Sequence, residues 1–183
     1  PGVVALDGVD LEVNKGEVHS LLGENGAGKS TLISILYGVY APDRGEIYLR
    51  GRRITIHSPR HAAKLGISLI SQHFALVESL TVEENLRLAG IDVEKAEKIA
   101  EQLGVEIDMR RYVAELTVGQ RQRLEIVKSL ARESDVLLMD EPTALLSPRE
   151  VKSLLAVVRR LAEMGKAVVF VTHKIREAVE VSD

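Results

Sequence analysis

The 183-residue sequence predicts an α/β fold: a mostly parallel sheet with an antiparallel β subdomain near its start and a short helical subdomain in its middle. Three observations carry that reading. Runs at 18–22, 67–71, 136–139 and 167–171 read as buried strands, several of them uniformly apolar, and the continuous run at 167–171 is typical of a strand covered on both faces. Capped segments of helical period separate the later runs. Residues 81–132 carry helix signals alone.

The elements follow in order. Residues 3–13 alternate, with Asp10 and Glu12 between Val9, Leu11 and Val13, which predicts a strand with one wet face. A turn at Asn14-Lys15-Gly16 leads to the strand at 18–22, then a glycine-rich loop, then a helix from Lys29 to about Tyr37 that Gly38 stops. Residues 45–57 read as a hairpin, 46–49 against 54–56, turning at Arg50-Gly51-Arg52. Ser58-Pro59 opens a short helix that Gly66 closes before the strand at 67–71. Thr81-Val82-Glu83-Glu84 is a capping box, Asp92 caps a helix ended by Gly104, and Thr117 precedes a helix through Arg132. After the strand at 136–139, Ser147-Pro148-Arg149-Glu150 is a second capping box. Its helix presents Val151, Leu154, Leu155, Val158 and Leu161 on one face.

Composition narrows the function. Without cysteine there are no disulfides and no thiolate zinc sites. Twenty-four Lys and Arg against 27 Asp and Glu leave no basic excess for duplex nucleic acid, and 3% aromatics with no Trp argue against a single-strand stacking platform. No apolar run reaches the ~20 residues of a membrane span. The expectation is a cytosolic binder of a small ligand or nucleotide, with no nucleic-acid partner.

Gly23-Glu24-Asn25-Gly26-Ala27-Gly28-Lys29-Ser30-Thr31 fits the G-x-x-x-x-G-K-S/T phosphate loop and lies between a strand and a helix, the context the motif requires. Glycines let successive N–H groups turn toward one anion, and the helix N-terminus adds favourable partial charge. Lys29 is expected to reach the β- and γ-phosphates and Ser30 to ligate Mg²⁺, so the chain reads as a P-loop NTPase core. A buried strand ends at Asp140-Glu141, where Asp140 suits the metal shell and Glu141 the attacking water. His173 and Gln72 follow two further strands and so fall on the same sheet edge.

With these motifs in place, the chain resembles the ATP-binding subunits of ABC transporters over nearly its whole length and in the family's order: the phosphate loop, Gln72, the signature-like Leu116-Thr117-Val118-Gly119-Gln120, Asp140-Glu141-Pro142 and His173. The resemblance implies that residues 23–31 bind ATP, that Gln72 touches the metal or the water, that Glu141 is the general base, and that His173 serves the γ-phosphate side. It implies that Thr117, Gly119 and Gln120 cap the ATP of a second ATPase domain in a head-to-tail pair, and that transmembrane permease subunits are partners at the cytoplasmic face of the membrane. Phe74-Ala75-Leu76-Val77 would dock one of their helices. Thr117 and Val118 stand where the family usually has Ser and Gly, and Ala144-Leu145-Leu146-Ser147 where it has Ser-Ala-Leu-Asp. The Thr-Ala-Leu-Leu-Ser-Pro stretch is similar to the first ATPase domain of sugar or nucleoside importers.

The whole of 1–183 is expected to be one ABC ATPase domain trimmed at both ends, lacking the aromatic that stacks on adenine. In it, 1–71 and 133–183 form the core and 72–132 the helical lobe. The alternatives are a soluble ABC ATPase of DNA repair or translation, for which no coiled-coil insertion or basic arm is visible, and a P-loop kinase, which leaves 116–120 and His173 unexplained.

Overall fold

A computed structural model describes residues 2, 4–71 and 74–182. Four strands form one parallel sheet: β1 (Val18–Leu22), β4 (Ile67–Ile70), β5 (Val136–Asp140) and β6 (Ala167–Thr172), in the order β1-β6-β5-β4. The hairpin β2 (Ile47–Leu49) and β3 (Arg52–Ile54) forms a separate antiparallel sheet.

The apolar run of β6 is explained by covering on both faces. Along β6, Val168 and Phe170 join one core with Leu137 and Met139, while Val169 and Val171 join a second core with Leu138 and Ile33. Because strand side chains alternate, a strand sandwiched between two cores has no position left for a polar residue. The first core lies under α3 (Val82–Leu88), α4 (Val93–Leu103), α5 (Val118–Ala131) and α6 (Pro148–Glu163). The second lies under α1 (Lys29–Leu36), α2 (Pro59–Lys64) and the hairpin.

Helix starts follow the caps. Thr81, Thr117 and Ser147 each form a complete capping box, satisfying two N–H groups that the first turn would otherwise leave open. Gly104 closes α4 in the left-handed conformation, with φ 64°.

Three expectations change. Residues 9–13 form no strand: Val9 is 52% exposed, and Val13 rests against the second core without pairing to another strand. The alternation there reflects one buried flank, and alternation alone supplies no ladder partner. The hairpin turns on two residues rather than three, because Arg50 and Gly51 both take positive φ, as a two-residue loop between twisted strands requires. Ile56 consequently lies beyond β3, though it is buried. A final helix, α7 (Ile175–Val181), was not anticipated; it begins directly after His173 and buries Ala178 and Val181.

Register puts the strand ends abreast. Leu22 pairs with Thr172, and Asp140 with Val171. The next residues, Gly23, His173 and Glu141, therefore emerge along one edge of the sheet, the carboxyl edge where open parallel sheets bind ligands.

Candidate functional site

Loop 23–31 is shaped for an anion. Gly26 and Gly28 have φ 86° and 89°, conformations an L side chain seldom adopts. At Gly28 a Cβ would also fall 2.5 Å from the Ala5 carbonyl oxygen, which lies across the loop. Gly28 caps α1 without any side-chain hydrogen bond, and the first turn holds no acidic residue, so its N–H groups are left for an outside acceptor. Lys29 Nζ donates to the carbonyl oxygens of Gly23 (2.7 Å) and Glu24 (2.8 Å), which holds the ammonium inside the curl of the loop. Ser30 follows, exposed, in the first turn of α1, and α1 packs against β5.

At the end of β5, Asp140 Oδ1 is buried with no hydrogen-bond partner among the described residues. A buried carboxylate oxygen without a donor carries the full cost of lost hydration unless a cation or its water shell faces it. Among the described residues no three His, Asp or Glu side chains converge as a metal site. A cation here would thus rest on few protein ligands and the phosphates, the usual habit of Mg²⁺, and Ser30 with Asp140 fits that donor set.

Glu141 is the unusual residue of the edge. Its φ is 46°, a left-handed backbone that costs a non-glycine residue about 1–3 kcal/mol and persists where surrounding contacts hold it. Its N–H donates to Val171 O at 3.0 Å, and its Oε1 lies 3.2 Å from His173 Nδ1. The two residues that end neighbouring strands therefore meet through their side chains. Gln72, expected on this edge, lies outside the described residues.

The 116–120 segment is joined to α6 instead. Leu116 ends a short 3-10 turn (Val113–Glu115), and Thr117 caps α5 with Gln120 as the reciprocal partner. Val118 is the first helical residue, so no positive φ is required there. Thr117 Oγ1 donates to Glu150 Oε1 at 2.8 Å, and a Cβ on Gly119 would sit 2.8 Å from that same oxygen, so any larger residue there would push the carboxylate aside. Bonds from the hydroxyls of Ser147 and Thr117 hold the Glu150 carboxyl down to about 2. Sequence reasoning read Glu150 as a helix cap only; its second bond, across 33 residues, has no local signal.

A strand-ending Asp-Glu, a histidine just past the adjacent strand and a glycine-rich loop opening a helix are the features of a phosphate-loop nucleotide-binding domain. The profile of the ABC transporter family matches residues 6–144, and the chain belongs to that family. It is 52% identical to the ribose import ATP-binding protein RbsA 1 of Rubrobacter xylanophilus over 100% of this chain and 39% of that protein. It is 44% identical to the guanosine import ATP-binding protein NupO of Bacillus subtilis over 92% of this chain and 35% of that one. The chain thus spans well under half the length of these relatives. Among solved structures it is similar to MJ1267, an ATP-binding cassette of an ABC transporter, in its ADP conformation (TM-score 0.88, 31% identity, 98% of this chain and 79% of that one). It is also similar to MJ0796, a bacterial ABC transporter cassette in dimeric form (TM-score 0.79, 28% identity, 97% and 83%). No helix among the described residues is long and apolar enough to cross a membrane.

Proposed function

We propose that the chain binds and hydrolyses ATP as the nucleotide-driven part of a sugar or nucleoside importer. The observation that carries this reading is the Glu141–His173 contact at the sheet edge beside loop 23–31. On nucleotide arrival, Lys29 exchanges its two carbonyl partners for the β- and γ-phosphate oxygens, and the open N–H groups of α1 take the remaining charge. Ser30 and Asp140, with Gln72, would hold Mg²⁺, which would offset the negative charge of the phosphates when bound. Glu141 orients a water and accepts its proton, and His173 fixes the Glu141 carboxylate and faces the γ-phosphate.

Residues 72–132 form the helical lobe in this reading, and 116–120 meet the ATP of a second ATPase domain, whether a second copy or a fused partner. The dimeric MJ0796 cassette supports such pairing. Permease subunits dock near 74–77, where Ala75, Val77 and the exposed Leu88 line one depression. That places the domain peripherally on the cytoplasmic face of the membrane.

The test is Glu141→Gln. It should leave ATP affinity by calorimetry intact and lower phosphate release by ~10² or more, the contribution of a positioned base. Turnover at the wild-type rate would remove Glu141 from that role.

A further inference from the structure

Behind the Glu141–His173 pair lies a buried polar cluster that the steps above leave unused. Glu177, in the first turn of α7, is 8% exposed. Its Oε2 accepts from Thr143 Oγ1 at 2.5 Å and from Thr172 Oγ1 at 3.4 Å, and its Oε1 accepts from Lys174 Nζ at 3.0 Å. Lys174 Nζ also donates to the Thr143 carbonyl at 3.3 Å, and the Lys174 N–H donates to Thr172 Oγ1 at 3.1 Å.

The positions of these partners give the cluster its meaning. Thr143 is two residues beyond Glu141, and Thr172 and Lys174 flank His173 on either side. One carboxylate therefore ties the segment leaving β5 to the segment leaving β6. The backbone at Glu141 is left-handed and needs fixing from both directions. The bond from its N–H to Val171 O fixes the strand side. The Thr143–Glu177 bond fixes the far side, and it is buried, so water does not compete for it. Lys174 balances the buried charge.

We propose that Glu177 is a positioning residue that sets the separation of Glu141 and His173 by clamping Thr143 to the two neighbours of His173. It touches neither nucleotide nor water in this scheme. The proposal rests on the reading that Glu141 and His173 do the chemistry.

Glu177→Gln in the full chain keeps the side-chain shape and removes the charge. Expected are an unchanged KM for ATP and unchanged calorimetric affinity, with kcat lowered by about 10- to 100-fold, the scale of a misplacement near 1 Å. Thr143→Val cuts the clamp from its other end and should behave alike, whereas Thr143→Ser retains the hydroxyl and should restore kcat. Combined with Glu141→Gln, Glu177→Gln should cost nothing further. Wild-type kcat in folded Glu177→Gln, or a loss that adds in full to that of Glu141→Gln, would overturn the proposal. Should Glu177→Gln fail to fold, the Thr143 pair decides: Val low with Ser restored supports the clamp, and equal turnover in both overturns it. An active Glu141→Gln enzyme would instead overturn the base assignment, and the positioning role with it.

Discussion

Thr117 donates its hydroxyl to the carboxylate of Glu150, so the starts of α5 and α6 share one negative charge. That carboxylate also closes the capping box with Ser147. Replacing Glu150 by Ala should cost about 1 kcal/mol, the worth of a helix cap, while Gln preserves the box and should cost less. Urea denaturation at neutral pH measures both.

The same residue sets a pH dependence. Its folded-state value, about 2, lies below its ordinary 4.5. A depressed carboxyl favours the folded state fully above its unfolded value and loses that effect as pH falls through the folded one. Part of the acid limb between about 4.5 and 2 should therefore flatten in Glu150→Gln, in melting curves taken across that range.

Lys29→Ala removes the ammonium held within the phosphate loop. Calorimetric ATP binding should be lost, with only a small change in melting temperature, because the loss is two hydrogen bonds within one partly exposed loop. Retained affinity would show that the polyphosphate lies elsewhere.

Gly28→Ala and Gly26→Ala separate strain from crowding. Both positions need positive φ, and a left-handed alanine costs roughly 1–2 kcal/mol at either. At Gly28 the added methyl also meets the Ala5 carbonyl and the Leu6 side chain, while at Gly26 nothing lies within 4 Å. Gly28→Ala should be the less stable of the two by urea denaturation; equal midpoints would mean that the segment at Ala5 yields freely.

If 116–120 act on the nucleotide of a second domain, specific activity should rise with protein concentration until pairing saturates. Rates measured over a hundredfold dilution series check this, and constant specific activity alongside a monomeric mass by light scattering would exclude shared sites.

What the sequence made legible was local. The phosphate loop, the strands at 18–22, 136–139 and 167–171, and the capping boxes at Thr81 and Ser147 each express their physics within a few neighbouring residues. Register then brought Glu141 beside His173, as expected of residues that end adjacent parallel strands. Residues 9–13 misled because alternation reports burial on one side and says nothing of a pairing strand. The bonds from Thr117 to Glu150 and from Thr143 to Glu177 have no local signal because they span 33 and 34 residues, and a carboxylate in a first helical turn already has an ordinary capping explanation.

Glycine would adopt the backbone at position 141 with no steric penalty, so folding alone favours a residue there that has no carboxylate. If Glu141 aims the attacking water as proposed, the molecule gives up some robustness at the point where that carboxylate is needed. On that reading, efforts to toughen this domain by relaxing its strained positions would, at that residue, yield a hardier but idle protein.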